Sequence, residues 1–123
     1  MRFLTAVSVA ISASSLTQAA PVSVTVSSAP QEKMASRLAS AVLKELKNDP
    51  RFTFVEGGRP ALDIALPARV GWERRLDWTE IHYQARLTSA TGQSRVIAGH
   101  CWNWNLTVCA KQIAEAAART GGN

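Results

Sequence analysis

Cysteine, histidine and tyrosine are scarce in this chain: two, two and one among 123 residues. With only Cys101, Cys109, His82 and His100 to draw on, a closed zinc site of the finger type has no spare ligand. The cysteine spacing is not the C-x-x-C of thiol oxidoreductases. No G-x-S-x-G turn, P-loop or G-x-G-x-x-G occurs, and Gly57-Gly58 is too short to cradle a phosphate. Basic residues never run five in a row and the RNA- and DNA-binding signatures are missing, so no nucleic-acid partner is expected. After residue 21 nothing approaches the roughly 18 consecutive apolar residues of a membrane span. The nearest stretch, 35–46, is broken by Arg37, Lys44 and Glu45. No transmembrane segment is expected.

What is present starts with the first nineteen residues. Met1-Arg2 is a short positive start, residues 3–11 are apolar, and a small, polar run leads to Ala19-Ala20-Pro21. That is the tripartite pattern of a secretory signal peptide. Cleavage after Ala19 places Thr17 and Ala19 as the small pair and keeps Pro21 off the first mature position. The expected division is therefore a cleaved signal peptide at 1–19 and one small domain at 20–123, periplasmic or secreted. In an oxidising compartment two cysteines pair, so a Cys101–Cys109 disulfide is expected. Without Arg2, thirteen basic side chains stand against nine acidic ones. A modest excess of this kind suits anionic envelope polymers and acidic proteins.

Hydrophobic periodicity outlines the domain. Residues 22–27 alternate strictly and read as a strand. Ser28, Pro30 and Gln31 resemble a capped helix start, and Met34, Leu38, Ala41, Val42 and Leu46 then recur on one helical face. Pro50 ends that helix, because it disfavours helical geometry at Asp49. Residues 51–56, with Phe52 and Phe54 on one side, and residues 61–66, with Leu62, Ile64 and Leu66 alternating, read as short strands. Residues 68–77 lack periodicity and read as the longest loop.

The last third is the most explicit. Thr79, Ile81, Tyr83, Ala85 and Leu87 alternate with Trp78, Glu80, His82, Gln84 and Arg86, the pattern of an antiparallel strand with one buried face. Ala90-Thr91-Gly92, with Gly92 in the left-handed position, joins it to residues 94–102 as a hairpin. This register sets Tyr83 opposite Gly99, Ile81 opposite Cys101 and His82 opposite His100. Extended past the strands, it sets Trp78 facing Trp104. A one-residue slip would undo all of these pairings. Asn103 or Asn105 caps a final helix with Leu106, Cys109, Ile113, Ala116 and Ala117 on one side. The expected architecture is a two-layer α+β domain of order β-α-β-β-β-β-α. Both helices lie on one face of a mixed, mostly antiparallel sheet of about five strands.

This order resembles a group of small envelope domains that includes the amino-terminal domain of TolB and the related domains of CsgG and LpoB. The matching phrases are Leu46-Lys47-Asn48-Asp49-Pro50-Arg51-Phe52-Thr53-Phe54-Val55, Ala61-Leu62-Asp63-Ile64-Ala65-Leu66, and the strand ending in Ala90-Thr91-Gly92-Gln93. The lipid-anchor cysteine and any propeller or pore-forming extension are not part of this chain. The resemblance implies a fold and non-catalytic protein contact in the envelope, and it transfers no functional residue.

Two constellations remain. His82 and His100, with Glu80 beside them, offer two imidazoles and a carboxylate for weak Zn²⁺ or Cu²⁺ binding, or for an enzyme site. Equally, they are two solvated polar residues on a sheet face. No spacing among Asp63, Glu73, Asp77 and Glu80 singles out a catalytic pair, no Ser-His-Asp arrangement is evident, and no cofactor is implied. Trp72, Trp78, Trp102 and Trp104, with Arg69, Arg74 and Arg75 nearby, combine the residue types most enriched at protein-binding hot spots. The competing reading makes two of these rings a cover over the open end of the core. The functions that follow are a protein-binding accessory module with an envelope protein as partner, a metal protein or enzyme built on His82, His100 and Glu80, and a binder of anionic envelope polymers.

Overall fold

A computed structural model describes residues 20–55 and 58–121. The signal peptide expected at 1–19 lies outside the described residues. Eight elements follow one another: β1 (Val22–Ser27), α1 (Lys33–Lys47), β2 (Phe52–Phe54), β3 (Leu62–Ala65), β4 (Gly71–Arg74), β5 (Thr79–Ser89), β6 (Ser94–Trp102) and α2 (Leu106–Gly121). β1 lies between β2 and β3 and runs parallel to both. β3 and β4 pair antiparallel with β5, as does β6.

Backbone direction decides how six strands are arranged. The Ser89 N–H reaches Gln93 and the Asn103 N–H reaches Thr79, so odd residues of β5 face β6. The Arg75 N–H reaches Trp78 and the Ala90 N–H reaches Ala61, so even residues face the other edge. β3 and β4 therefore lie end to end along that one edge. The sheet is five strands wide, β2–β1–β3/β4–β5–β6, with β3 and β4 sharing one position. The expected α+β order holds, and one strand is added where the sequence reads as a loop.

Between the two segments, residues 66–70 stand against only residues 83–85 of β5. Two surplus residues push the chain outward, and Pro67 has no N–H to donate to a ladder in any case. Leu66 and Val70 turn inward and are buried. The start of α1 holds this bulge. The Gln31 N–H donates to the Ala68 carbonyl at 2.8 Å, and Glu32 accepts from the Val70 N–H at 2.7 Å. The expected capping box on Ser28 and Gln31 is thus replaced. The helix begins at Lys33, Glu32 is its N-cap residue with no side-chain cap bond, and its carboxylate serves the bulge instead.

Both helices cover the same face of the sheet. Leu38, Val42 and Leu46 of α1 and Leu106, Cys109, Ile113 and Ala117 of α2 join Val24, Leu62, Ile64, Ile81, Ala85 and Leu87 in one core. Complete burial of a Leu or Ile side chain stabilises by about 1.5–3 kcal/mol, so this core is the main support of the fold. The hairpin has the expected register throughout, from Glu80 opposite Trp102 to Thr88 opposite Ser94, and Gly92 has the positive φ the turn needs. The Cys101–Cys109 disulfide ties β6 to α2, with Cα atoms 5.6 Å apart. Among the described residues β6 pairs with β5 only. Its even residues direct their backbone groups outward, and the His100 carbonyl accepts a bond from Gln112 Nε2 at 3.1 Å.

Past the end of α1, Arg51 bridges Asp49 and Glu115 of α2, each at 2.8 Å. Hydrogen bonding to Arg51 holds both carboxyls below their ordinary range. A carboxyl depressed in the folded state adds stability above its unfolded pKa and loses it as pH falls through the folded one. The expected result is a melting temperature that declines as pH falls below about 4. Arg51→Ala should flatten that decline, and acid melting curves of both proteins check it.

Candidate functional site on the open sheet face

The face of the sheet turned away from the helices carries the polar alternates of the strands. Across β5 and β6 these are Glu80 opposite Trp102, His82 opposite His100, Gln84 opposite Ala98 and Arg86 opposite Val96. His82 directs its backbone away from β6, so His82 and His100 form a non-hydrogen-bonded pair, the closer of the two antiparallel arrangements. Their ring centroids are 5.9 Å apart. The sequence-derived pair is therefore real.

β4 adds what the sequence reading does not contain. It places Glu73 directly opposite Glu80. Two carboxylates in one cross-strand pair repel each other, so the position requires a cation. Arg75 supplies it: one guanidinium nitrogen donates to Glu73 at 3.0 Å and to Glu80 at 2.9 Å. The hydrogen bond from Arg75 holds the Glu80 carboxyl below its ordinary range, helped by the charge of the same guanidinium and by the two histidines. The Arg75 guanidinium is raised in turn, first by its bond to Glu80. The Nε2 atom of His82 lies 3.3 Å from Glu80 Oε1 and 3.8 Å from Glu73 Oε1, and that of His100 lies 3.9 Å from Glu80 Oε2. Glu73 joins because residues 71–74 form a strand. As a loop they give no reason to place it there.

The tryptophans separate into distinct positions. Trp78 and Trp104 meet as the register expects, with ring centroids 5.5 Å apart and planes tilted by 54°. Trp102 is on the open face beside Glu80. Trp72 is opposite Ile81, hence on the helix side of β4, where it lines a recess of about 340 Å³ with Lys33, Met34, Thr79 and Asn103. Trp72, Trp78 and Trp104 are 65%, 47% and 57% exposed, and Leu76, in the turn between β4 and β5, is 97% exposed. Each of these rings keeps about half of its surface or more open to solvent. Among the arginines, Arg75 belongs to the carboxylate network and Arg69 stands 3.9 Å from Glu32 at the bulge. Arg74 makes no ion pair among the described residues. Neither Leu76 nor the recess beneath Trp72 is foreseen from sequence, since the one is a lone apolar residue in an aperiodic stretch and the other depends on where β4 docks.

The fold and its open face define a small two-layer α+β domain with an unbranched mixed sheet. No protein-family model matches the chain, and no curated protein matches it. Among solved structures, the hypothetical protein CT253 from Chlamydia trachomatis is similar, with a TM-score of 0.50 and 8% identity. The match covers 84% of this chain and 97% of that one. At such identity the likeness is one of fold. No helix among the described residues is long and apolar enough to cross a membrane.

Proposed function

We propose that this chain is a small exported, non-catalytic accessory module that binds another protein of the cell envelope through the β4 end of its sheet. The observation that carries this reading is the exposed set Trp72, Leu76, Trp78 and Trp104, gathered by the β4–β5 turn and the β6–α2 junction with Arg74 among them. Large apolar side chains left exposed at one end of a sheet suit an interaction site, and Trp and Arg are enriched at hot spots. The recess beside Trp72 offers a partner side chain an anchor point. Export is supported by the residue pattern at 1–19 and by the disulfide, a bond that persists in oxidising compartments. The resemblance to the envelope domains of TolB, CsgG and LpoB points to the same style of work.

Cross-linking of the mature, oxidised protein in its own envelope extract tests this reading beside a Trp72→Ala/Arg74→Ala variant. The wild type should give one discrete adduct and the variant none. Because both side chains are exposed, the variant should melt within about 2–4 °C of the wild type, the shift that roughly 0.5 kcal/mol causes in a domain this size. A much larger drop would show that Trp72 covers the core, and the proposed surface would fall with it.

A further inference from the structure

The geometry points to a divalent transition-metal site formed by Glu73, Glu80, His82 and His100, with Arg75 as a built-in cation that the metal displaces. This inference does not rest on the protein-binding reading. Three adjacent strands bring candidate donors to one place: Glu73 from β4, Glu80 and His82 from β5, and His100 opposite His82 on β6. Ligand atoms bonded to Zn²⁺ at about 2.0–2.1 Å in a tetrahedron stand about 3.3–3.5 Å from one another. His82 Nε2 stands 3.3 Å from Glu80 Oε1 and 3.8 Å from Glu73 Oε1, so small side-chain rotations bring these three donors to that spacing. Glu73, Glu80 and His82 each present one ligand atom within 4.8 Å of the others; His100, 3.9 Å from Glu80 Oε2 on the neighbouring strand, stands outside that group and has to swing inward to join it. Two imidazoles and two carboxylates suit Zn²⁺ or Cu²⁺ and not Mg²⁺ or Ca²⁺, which prefer oxygen alone.

The second support is electrostatic. A Glu73–Glu80 cross-strand pair is a position built around a positive charge, and Arg75 occupies it through the same two Oε1 atoms that lie nearest His82. A metal ion carries more charge than the guanidinium and adds two imidazole bonds that arginine cannot make. Entry is open, since His82 and His100 side chains are 47% and 65% exposed. Binding releases Arg75, whose backbone N–H holds the turn at Trp78 with a 2.7 Å bond.

The test is calorimetric titration of the mature, oxidised protein, free of any histidine tag, with Zn²⁺ near neutral pH, and with Mg²⁺ as a control. One Zn²⁺ per chain and no Mg²⁺ binding are expected. His82→Ala and His100→Ala should each weaken Zn²⁺ by at least about tenfold, a loss that even an outer-shell partner causes. Glu73→Gln and Glu80→Gln should weaken it too. Arg75→Ala should tighten it by about tenfold, because a competing cation at contact distance is gone. Cu²⁺ should quench the indole fluorescence of the wild type, with Trp102→Phe removing part of that quenching. All the ligand changes are on an open face, and equal melting temperatures would confirm that each variant is folded. A wild type that does not saturate with Zn²⁺ overturns the site, as does saturation that persists in both histidine variants. Binding that needs the histidines yet ignores Glu73, Glu80 and Arg75 also overturns it, since the imidazole pair would then act alone.

Discussion

Replacing Cys101 and Cys109 together by alanine should lower the melting temperature by about 10–20 °C. The bond joins residues eight apart, and loop-entropy arithmetic for so short a loop gives about 2.5 kcal/mol. In a domain of about a hundred residues each kcal/mol moves the midpoint by about 4–8 °C. Packing adds to the entropic share, because Cys109 is wholly buried on α2 and Cys101 nearly so on β6. Removing both sulfurs leaves a gap where the helix meets the edge strand. The check is a pair of thermal melts, wild type with and without reductant, beside the double variant. Reduced wild type and the variant should fall together, and coincidence of all three curves would mean that the core alone holds α2 in place.

A second large effect is expected at Gly99. This residue lies directly opposite Tyr83, whose ring folds across the space where a side chain would start. A Cβ on residue 99 would come within 2.6 Å of the Tyr83 hydroxyl oxygen and 2.8 Å of the ring carbon bearing it, and would also press on Gln112 Oε1. Gln112 can swing aside. Tyr83 cannot, being 3% exposed with its ring packed in the core. Overpacking of this kind costs about 1–3 kcal/mol, so Gly99→Ala should destabilise by that amount despite the better strand propensity of alanine. A cycle with Tyr83→Ala identifies the cause. With the ring removed, Gly99→Ala should cost little, giving a coupling of at least about 0.5 kcal/mol. Additive effects would place the strain somewhere other than the ring.

The parts of the fold legible in the sequence are those where burial imposes a period. β5 shows alternation over its whole length because one face meets the core, and Gly92 then fixes the register down to His82 opposite His100. α1 and α2 are legible for the same reason at helical spacing, and Cys101 falls on an inward position of β6 as Cys109 does of α2. β4 is not legible. All four of its residues are exposed, so Gly71, Trp72, Glu73 and Arg74 carry no alternation to read. With β4 goes Glu73, and with Glu73 the difference between a histidine pair and a cluster in which Glu73, Glu80 and His82 meet. The start of α1 misleads for another reason. Ser28, Pro30 and Gln31 have the right types for a cap, but the Gln31 N–H and the Glu32 carboxylate are taken by residues 68 and 70, far along the chain. Local chemistry cannot foresee a partner that tertiary contact supplies.

The free edge of β6 carries a consequence for the life of the protein before and after its disulfide forms. Outward-facing backbone groups on an edge strand are a template on which another chain can add, and Val96, half exposed there, makes the template stickier. In the oxidised fold α2 guards that edge: Gln112 occupies the His100 carbonyl, and Arg95 places a charge at the start of the strand. Guard and bond are one device, since Cys109 anchors the helix that carries Gln112. A chain whose cysteines are still reduced thus has an unprotected seed for intermolecular sheet growth. Closing the Cys101–Cys109 bond is then protection against aggregation as much as a source of stability.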